Sequence, residues 1–218
     1  MKTLSITPQL SDYLDSHVPL LHPALDELRA VTSQLPGRGM QITRDQGAFM
    51  HLLAKTLGAS RVVEVGCFTG YSTICAALGM VSGGKLITID VDPENTAIAQ
   101  KFFHKTGTAE KIELRIGPAL EHLPKIEKEW GSSSVDMMFI DGDKENMVTY
   151  YDWAIRLLRP GGIVICDNVL WGGRVVDDED QSSATVAIRK LNEHVARDER
   201  ADRVMLPISD GLFLARKK

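Results

Sequence analysis

Cysteine is scarce in this chain, and no stretch stays apolar for long. Only three cysteines occur in 218 residues: Cys67, Cys75 and Cys166. The count is odd and no two have C-x-x-C spacing, which argues against a disulfide framework and against a zinc site. Free thiols in a reducing cytosol are the expectation. No run of about 18 apolar residues is present to cross a bilayer. The start, M-K-T-L-S-I-T-P, lacks the apolar core of a signal peptide. A cytoplasmic location with no membrane partner follows as an expectation. An excess of positive charge is also missing. The formal net charge is -4, which counts against a chain built to coat nucleic acid.

What is present is an ordinary globular composition, 44% hydrophobic and 25% charged. The length suits one domain with a sizeable core. Residues 1–40 read as an N-terminal helical extension and residues 41–218 as the core. Leu21, Leu25, Leu28 and Val31 recur at helical spacing. The P-G-R-G loop at 36–39 breaks that pattern. Thr43-x-x-Gln46 reads as a capping box with Asp45 in the first turn. Phe49, Leu52, Leu53, Thr56 and Leu57 then mark a buried side, and Gly58 a stop.

From residue 61 the pattern changes. Strands are expected at 61–65, 85–89, 111–116, 135–140 and 162–166. Helices are expected at 71–78, 93–105, 119–128, 145–158 and 183–196. A hairpin at 204–208 and 212–216 closes the chain. Such alternation predicts an α/β fold: a mostly parallel sheet with an antiparallel end and helices on both faces. Ligands of these sheets bind beyond the C-terminal strand ends.

Those ends carry the informative residues. After the first strand stands E-V-G-C-F-T-G-Y-S, where Gly66 and Gly70 let the backbone turn sharply and approach a ligand. The spacing is not the G-x-G-x-x-G dinucleotide fingerprint. After the second strand stands Asp90, an acid placed to grip ribose hydroxyls. Glu64, inside the glycine turn, repels a pyrophosphate but suits a cationic ligand. S-adenosylmethionine, with its sulfonium and ammonium, is therefore preferred to NAD. After the fourth strand comes Asp141 in F-I-D-G-D-K, and after the fifth Asp167-Asn168. Three oxygen side chains at one edge are costly without a counter-charge. Oxygen-only donors favour Mg²⁺, with Mn²⁺ or Ca²⁺ as alternatives.

E-V-G-C-F-T-G-Y-S, I-D-V-D, G-P-A-L, F-I-D-G-D-K and D-N-V-L-W-G-G, in that order, resemble the metal-dependent O-methyltransferases of the caffeoyl-CoA and catechol type. The resemblance runs from about Met40 to the C-terminus. It implies a Rossmann-like class I S-adenosylmethionine methyltransferase fold with seven strands, in a bacterial member and as a homodimer. It also implies cofactor contacts for Ile42, Glu64, Gly66, Cys67, Tyr71, Ser72, Asp90, Ala119 and Asp141. The metal ligands it implies are Asp141, Asp167 and Asn168, with Trp171 on the substrate wall. Gly172 departs from the plant caffeoyl-CoA members, which carry a substrate-touching asparagine there.

The expected reaction is methyl transfer to one oxygen of a vicinal diol on a small phenolic substrate. Asp141 and Lys144 are the catalytic candidates, with Lys144 to take the proton, as in catechol-type relatives. The alternatives are a tRNA hydroxyuridine O-methyltransferase of the same fold, an NAD-dependent oxidoreductase and a non-catalytic binding protein. The six histidines show no ligand spacing, and D-D-E-D at 177–180 reads as a solvated loop.

Overall fold

The computed structural model describes residues 5–218. Two short helices come first, α1 (Pro8–His17) and α2 (Pro23–Thr32). Each opens on a proline, whose missing N–H costs nothing in a first turn. A 3-10 turn (Arg38–Met40) leads into α3 (Arg44–Leu57), which ends at Gly58 with φ +58°. Strands and helices then alternate: β1 (Arg61–Val65), α4 (Tyr71–Gly79), β2 (Lys85–Asp90), α5 (Pro93–Lys105), β3 (Ile112–Ile116), α6 (Ala119–Trp130), β4 (Val135–Ile140), α7 (Met147–Leu157), β5 (Leu158–Cys166) and α8 (Ser183–Arg197). The hairpin β6 (Ala201–Leu206) and β7 (Leu212–Lys217) closes the chain.

The strands form one sheet in the order β3-β2-β1-β4-β5-β7-β6. β1 to β5 pair in parallel, and β7 runs antiparallel between β5 and β6. This is the expected mixed sheet. Every residue of β4 is buried, as a central strand covered on both faces requires. One face packs on Leu123, Ile126, Tyr151 and Leu191 from α6, α7 and α8. The other packs on Leu25, Leu28, Met50, Ile74 and Phe103 from α2 to α5. Strand order reverses between β1 and β4, so the ligand crevice of such a sheet opens there.

α3 departs from the sequence expectation in a way that matters for the site. Thr43 is the N-cap, but its side chain makes no capping bond. Gln46 turns inward instead and is fully buried. The buried stripe is Gln46, Gly47, Met50 and Ala54, while Leu52 stays 61% exposed. Close packing on α4 sets this rotation. A Cβ on Gly47 would stand 2.9 Å from Cys75 Sγ and from Tyr71 Cε1, so only glycine lets the two backbones approach this far. α2 is rotated likewise: Val31 is exposed and Thr32 buried, with its hydroxyl 2.9 Å from that of Thr69.

At the N-terminal end of β4 Asp136 joins three segments. Its Oδ2 accepts from the amides of Ser60 (2.8 Å) and Arg61 (2.9 Å) and from the Ser60 hydroxyl (2.9 Å). Its Oδ1 accepts from Arg159 Nε at 2.6 Å. Burial alone would raise its pKa, but Arg159 and these donors outweigh it and hold the carboxyl below its ordinary value. That stabilisation is complete above the unfolded pKa of about 3.9 and is lost as pH falls through the folded value. Asp136→Asn should cost about 2–3 kcal/mol at neutral pH. It should also remove part of the acid-side loss of stability, read from urea midpoints between pH 3 and 7.

Candidate active site

The polypeptide leaves β1 through a turn that only glycine can make. Gly66 has φ +95°, and a Cβ there would lie 2.2 Å from the Asp141 carbonyl oxygen. The ends of β1 and β4 are thus packed backbone to backbone. Asp90, at the end of β2, braces the same turn. Its Oδ2 accepts from the amides of Cys67 (2.8 Å) and Phe68 (2.7 Å), and its Oδ1 from the amide of Asp92 (2.9 Å).

A cavity of about 920 Å³ opens over these strand ends. On the glycine-turn side it is lined by Gly66, Cys67, Tyr71, Ser72 and Asp90. Ile42, before α3, and Ala119, which begins α6, close it from two further sides. Cys67 is a buried thiol whose pKa is pushed far up by burial, so it serves as wall rather than nucleophile. Glu64 is the one expected cofactor residue that does not line the cavity. It sits in β1 beneath the turn, 1% exposed. Its Oε2 accepts from the hydroxyls of Thr73 and Thr88, and its Oε1 is buried with no partner among the described residues. Burial pushes its pKa up to about 7.

The far side of the cavity is the oxygen-rich edge. Ile140 and Cys166 are register partners, so the residues after them, Asp141 and Asp167, emerge side by side. Lys144 Nζ donates to Asp141 Oδ1 at 3.1 Å and to Asn168 Oδ1 at 2.7 Å. Asp167 is 2% exposed. Its Oδ1 accepts from the Asn168 amide (2.6 Å) and its Oδ2 from Gln46 Nε2 (2.7 Å). Burial raises both carboxyl pKa values, that of Asp167 to about 7 with Asp141 adding to the push. Among the described residues no group of three His, Cys, Asp or Glu side chains is placed to hold a metal ion by itself. What converges is two aspartates, an asparagine carbonyl and one ammonium. Trp171 lines the same end, with Lys144 Nζ 5.8 Å and the Arg174 guanidinium 4.5 Å from its ring centre.

A family model described as O-methyltransferase matches residues 15–218. The chain belongs to that O-methyltransferase family. It is 34% identical to the catechol O-methyltransferase of Niastella koreensis, over 95% of this chain and 97% of that one. It is also 34% identical to caffeoyl-CoA O-methyltransferase 1 of Eucalyptus globulus, over 95% of this chain and 89% of the relative. Among solved structures, an O-methyltransferase from Bacillus cereus in complex with SAH superposes with a TM-score of 0.87 at 31% identity, covering 96% of this chain and 97% of that chain.

Two residues of this O-methyltransferase had no sequence signal as site residues. Gln46 reads as a helix-capping residue, yet it supplies the hydrogen bond to Asp167 from 121 residues away. Asp210 reads as a hairpin turn residue, yet it lines the cavity beside Asn168. Both contacts exist only because α3 and the β6–β7 turn fold onto the ends of β4 and β5.

Glu64 has a testable signature. Its folded pKa lies above the unfolded value of about 4.3, so folding takes up a proton between there and about pH 7. Stability contributed by the protonated form is therefore lost as pH rises through that window, by roughly 3 kcal/mol in all. Glu64→Gln should flatten the pH 5–8 stability profile relative to wild type, as measured by urea unfolding.

Proposed function

We propose that this O-methyltransferase uses S-adenosylmethionine to methylate one oxygen of a vicinal diol on a catechol-like phenolic acceptor, with a divalent metal ion. The observation that carries the reading is the Asp141–Lys144–Asn168 bridge beside Asp167, on the far side of the glycine-turn cavity. The resemblance to catechol and caffeoyl-CoA O-methyltransferases and to an SAH-bound relative supports it.

The residues present fit such an ion. Asp141, Asp167 and the Asn168 carbonyl are hard oxygen donors, suited to Mg²⁺, Mn²⁺ or Ca²⁺. The Lys144 ammonium is bonded to Asp141 but not to Asp167, whose carboxyl accepts only from the neutral Gln46 and Asn168 groups, so a cation has an acidic partner left there. Bound there, a divalent ion would supply Lewis acidity that lowers the pKa of an acceptor hydroxyl.

The chain's own groups do the rest. The glycine turn and Asp90 bind the nucleoside end of the donor. Glu64, with its unpaired Oε1 beneath the turn, provides negative charge for the cationic methionine end. Trp171 offers a flat face for the acceptor ring. Lys144 Nζ, already at the reacting edge, would take the hydroxyl proton as the neutral amine, its own proton passing to solvent once a bound cation takes over its bonds to Asp141 and Asn168. The acceptor oxygen then forms a bond to the methyl carbon as the carbon–sulfur bond breaks, and the sulfonium leaves as a neutral thioether. Holding the two reactants at attack distance supplies much of the acceleration.

We also propose a homodimer, since Tyr13, Leu14, Leu20 and Met40 leave apolar surface exposed at the N-terminal end. Three buried free thiols suit the reducing compartment proposed for it.

The deciding experiment is a methyl-transfer assay on catechols, flavonoids, acyl-CoA esters and tRNA, with Mg²⁺ or with excess chelator. Catechol turnover should fall at least roughly 100-fold with chelator or in Asp167→Ala. Lys144→Met should lower kcat by roughly 10²–10⁴-fold. Full activity under chelation would refute the metal assignment. Turnover confined to tRNA would move the acceptor to the nucleic-acid reading.

A further inference from the structure

The loop that follows Asp167 is held in an unusual conformation. Asn168 and Trp171 have φ of +58° and +50°, and Gly172 and Gly173 have φ of +59° and +82°. Two non-glycine residues in the left-handed region cost free energy, and such conformations persist only where surroundings enforce them. Here the enforcing element is the β6–β7 turn. The amide of Leu170 donates to the Asp210 carbonyl at 2.9 Å and that of Val169 to the Gly211 carbonyl at 3.2 Å. A Cβ on Gly211 would lie 2.4 Å from Leu170 Cγ, so the two loops are in direct contact.

The Asp210 side chain adds two bonds of a different kind. Its Oδ1 accepts from the Gly172 amide at 2.6 Å. Its Oδ2 accepts from Asn168 Nδ2 at 3.4 Å. On the other side of the same carboxamide, Lys144 Nζ donates to Asn168 Oδ1 at 2.7 Å. A carboxamide has one oxygen face and one NH₂ face, and a half-turn about its last bond exchanges them. Here both neighbours select the same orientation: a cation faces the oxygen and a carboxylate faces the NH₂.

We propose that Asp210 is a positioning residue that fixes the polarity of the Asn168 carboxamide. It keeps the carbonyl oxygen turned toward Asp141 and the cation site, and it ties that orientation to the Trp171–Gly172 wall through the Gly172 amide. The proposal rests on the metal reading above. It deepens that reading by naming a residue outside the ligand set that decides whether the third ligand presents oxygen or NH₂.

The test is Mn²⁺ affinity without substrate, read by electron paramagnetic resonance of free Mn²⁺, in four proteins: wild type, Asp210→Asn, Asn168→Asp and the double variant. In Asp210→Asn the introduced carboxamide can still accept from Gly172, but its NH₂ then faces the NH₂ of Asn168. The Asn168 amide must turn over or lose its partner, and Mn²⁺ affinity should drop at least tenfold. In the Asn168→Asp background the same change restores a donor–acceptor pair with its polarity inverted, and the drop should be at least fivefold smaller. Thermal melts of all four report whether the loop stays folded. Equal losses in both backgrounds, or a difference below fivefold, would make Asp210 a scaffold or a distant charge and overturn the proposal. Unchanged affinity in Asp210→Asn would overturn it alone. Absence of Mn²⁺ binding by wild type would overturn the metal reading and the proposal together.

Discussion

Asp141 and Asp167 follow residues that face each other across β4 and β5, so their backbones start one strand spacing apart, about 4.8 Å. Two carboxylates at that distance repel by about 3–4 kcal/mol at an effective dielectric of 20. Burial adds a further cost to each charge. The molecule meets this with donors from every side. Lys144 comes from the turn after β4, the Asn168 amide from the turn after β5, and the Gln46 carboxamide from α3. The result is a charge arrangement compensated in part by neutral donors and one ammonium.

Gln46 connects this centre to the N-terminal part of the chain. α3 presses against α4 through Gly47, and α2 reaches the glycine turn through the Thr32–Thr69 hydroxyl pair. The helices ahead of the sheet therefore touch both ends of the cavity. Ile42, in the segment that enters α3, lines the cavity between them. Movement of α3 relative to the sheet would alter the Asp167 hydrogen bond and the cavity mouth together.

The glycine-turn side of the cavity is organised by a different arrangement of charge. Asp90 accepts three backbone amides and so shapes the glycine turn as well as facing the cavity. Glu64 is sunk beneath the turn with one oxygen bonded and one without a partner among the described residues. A ligand carrying positive charge near that second oxygen would stabilise the ionised form. The carboxylate thus lies beneath the cavity wall rather than in it.

Much of this was legible in order along the chain. Strand periods, the helix expected at 93–105 and the strand-end residues Glu64, Asp90, Asp141 and Asp167 follow from local patterns. Parallel alternation then places those ends together, so which residues meet there was readable along the chain. What a linear pattern cannot hold is contact between segments far apart in it. Threonine followed three residues later by glutamine has the pattern of a capping box, but packing of α3 on α4 turned Gln46 inward and left Leu52 in solvent. Likewise, Ser209-Asp210-Gly211 reads as a turn, and only the approach of β7 to β5 brings Asp210 to Asn168. The sequence by itself determined the elements, their alternation and the identity of the strand-end residues, because each depends on neighbours a few residues away. The tertiary structure alone decided the rotation of the helices and which polar groups support the carboxylates, because those depend on the faces that meet when the core closes.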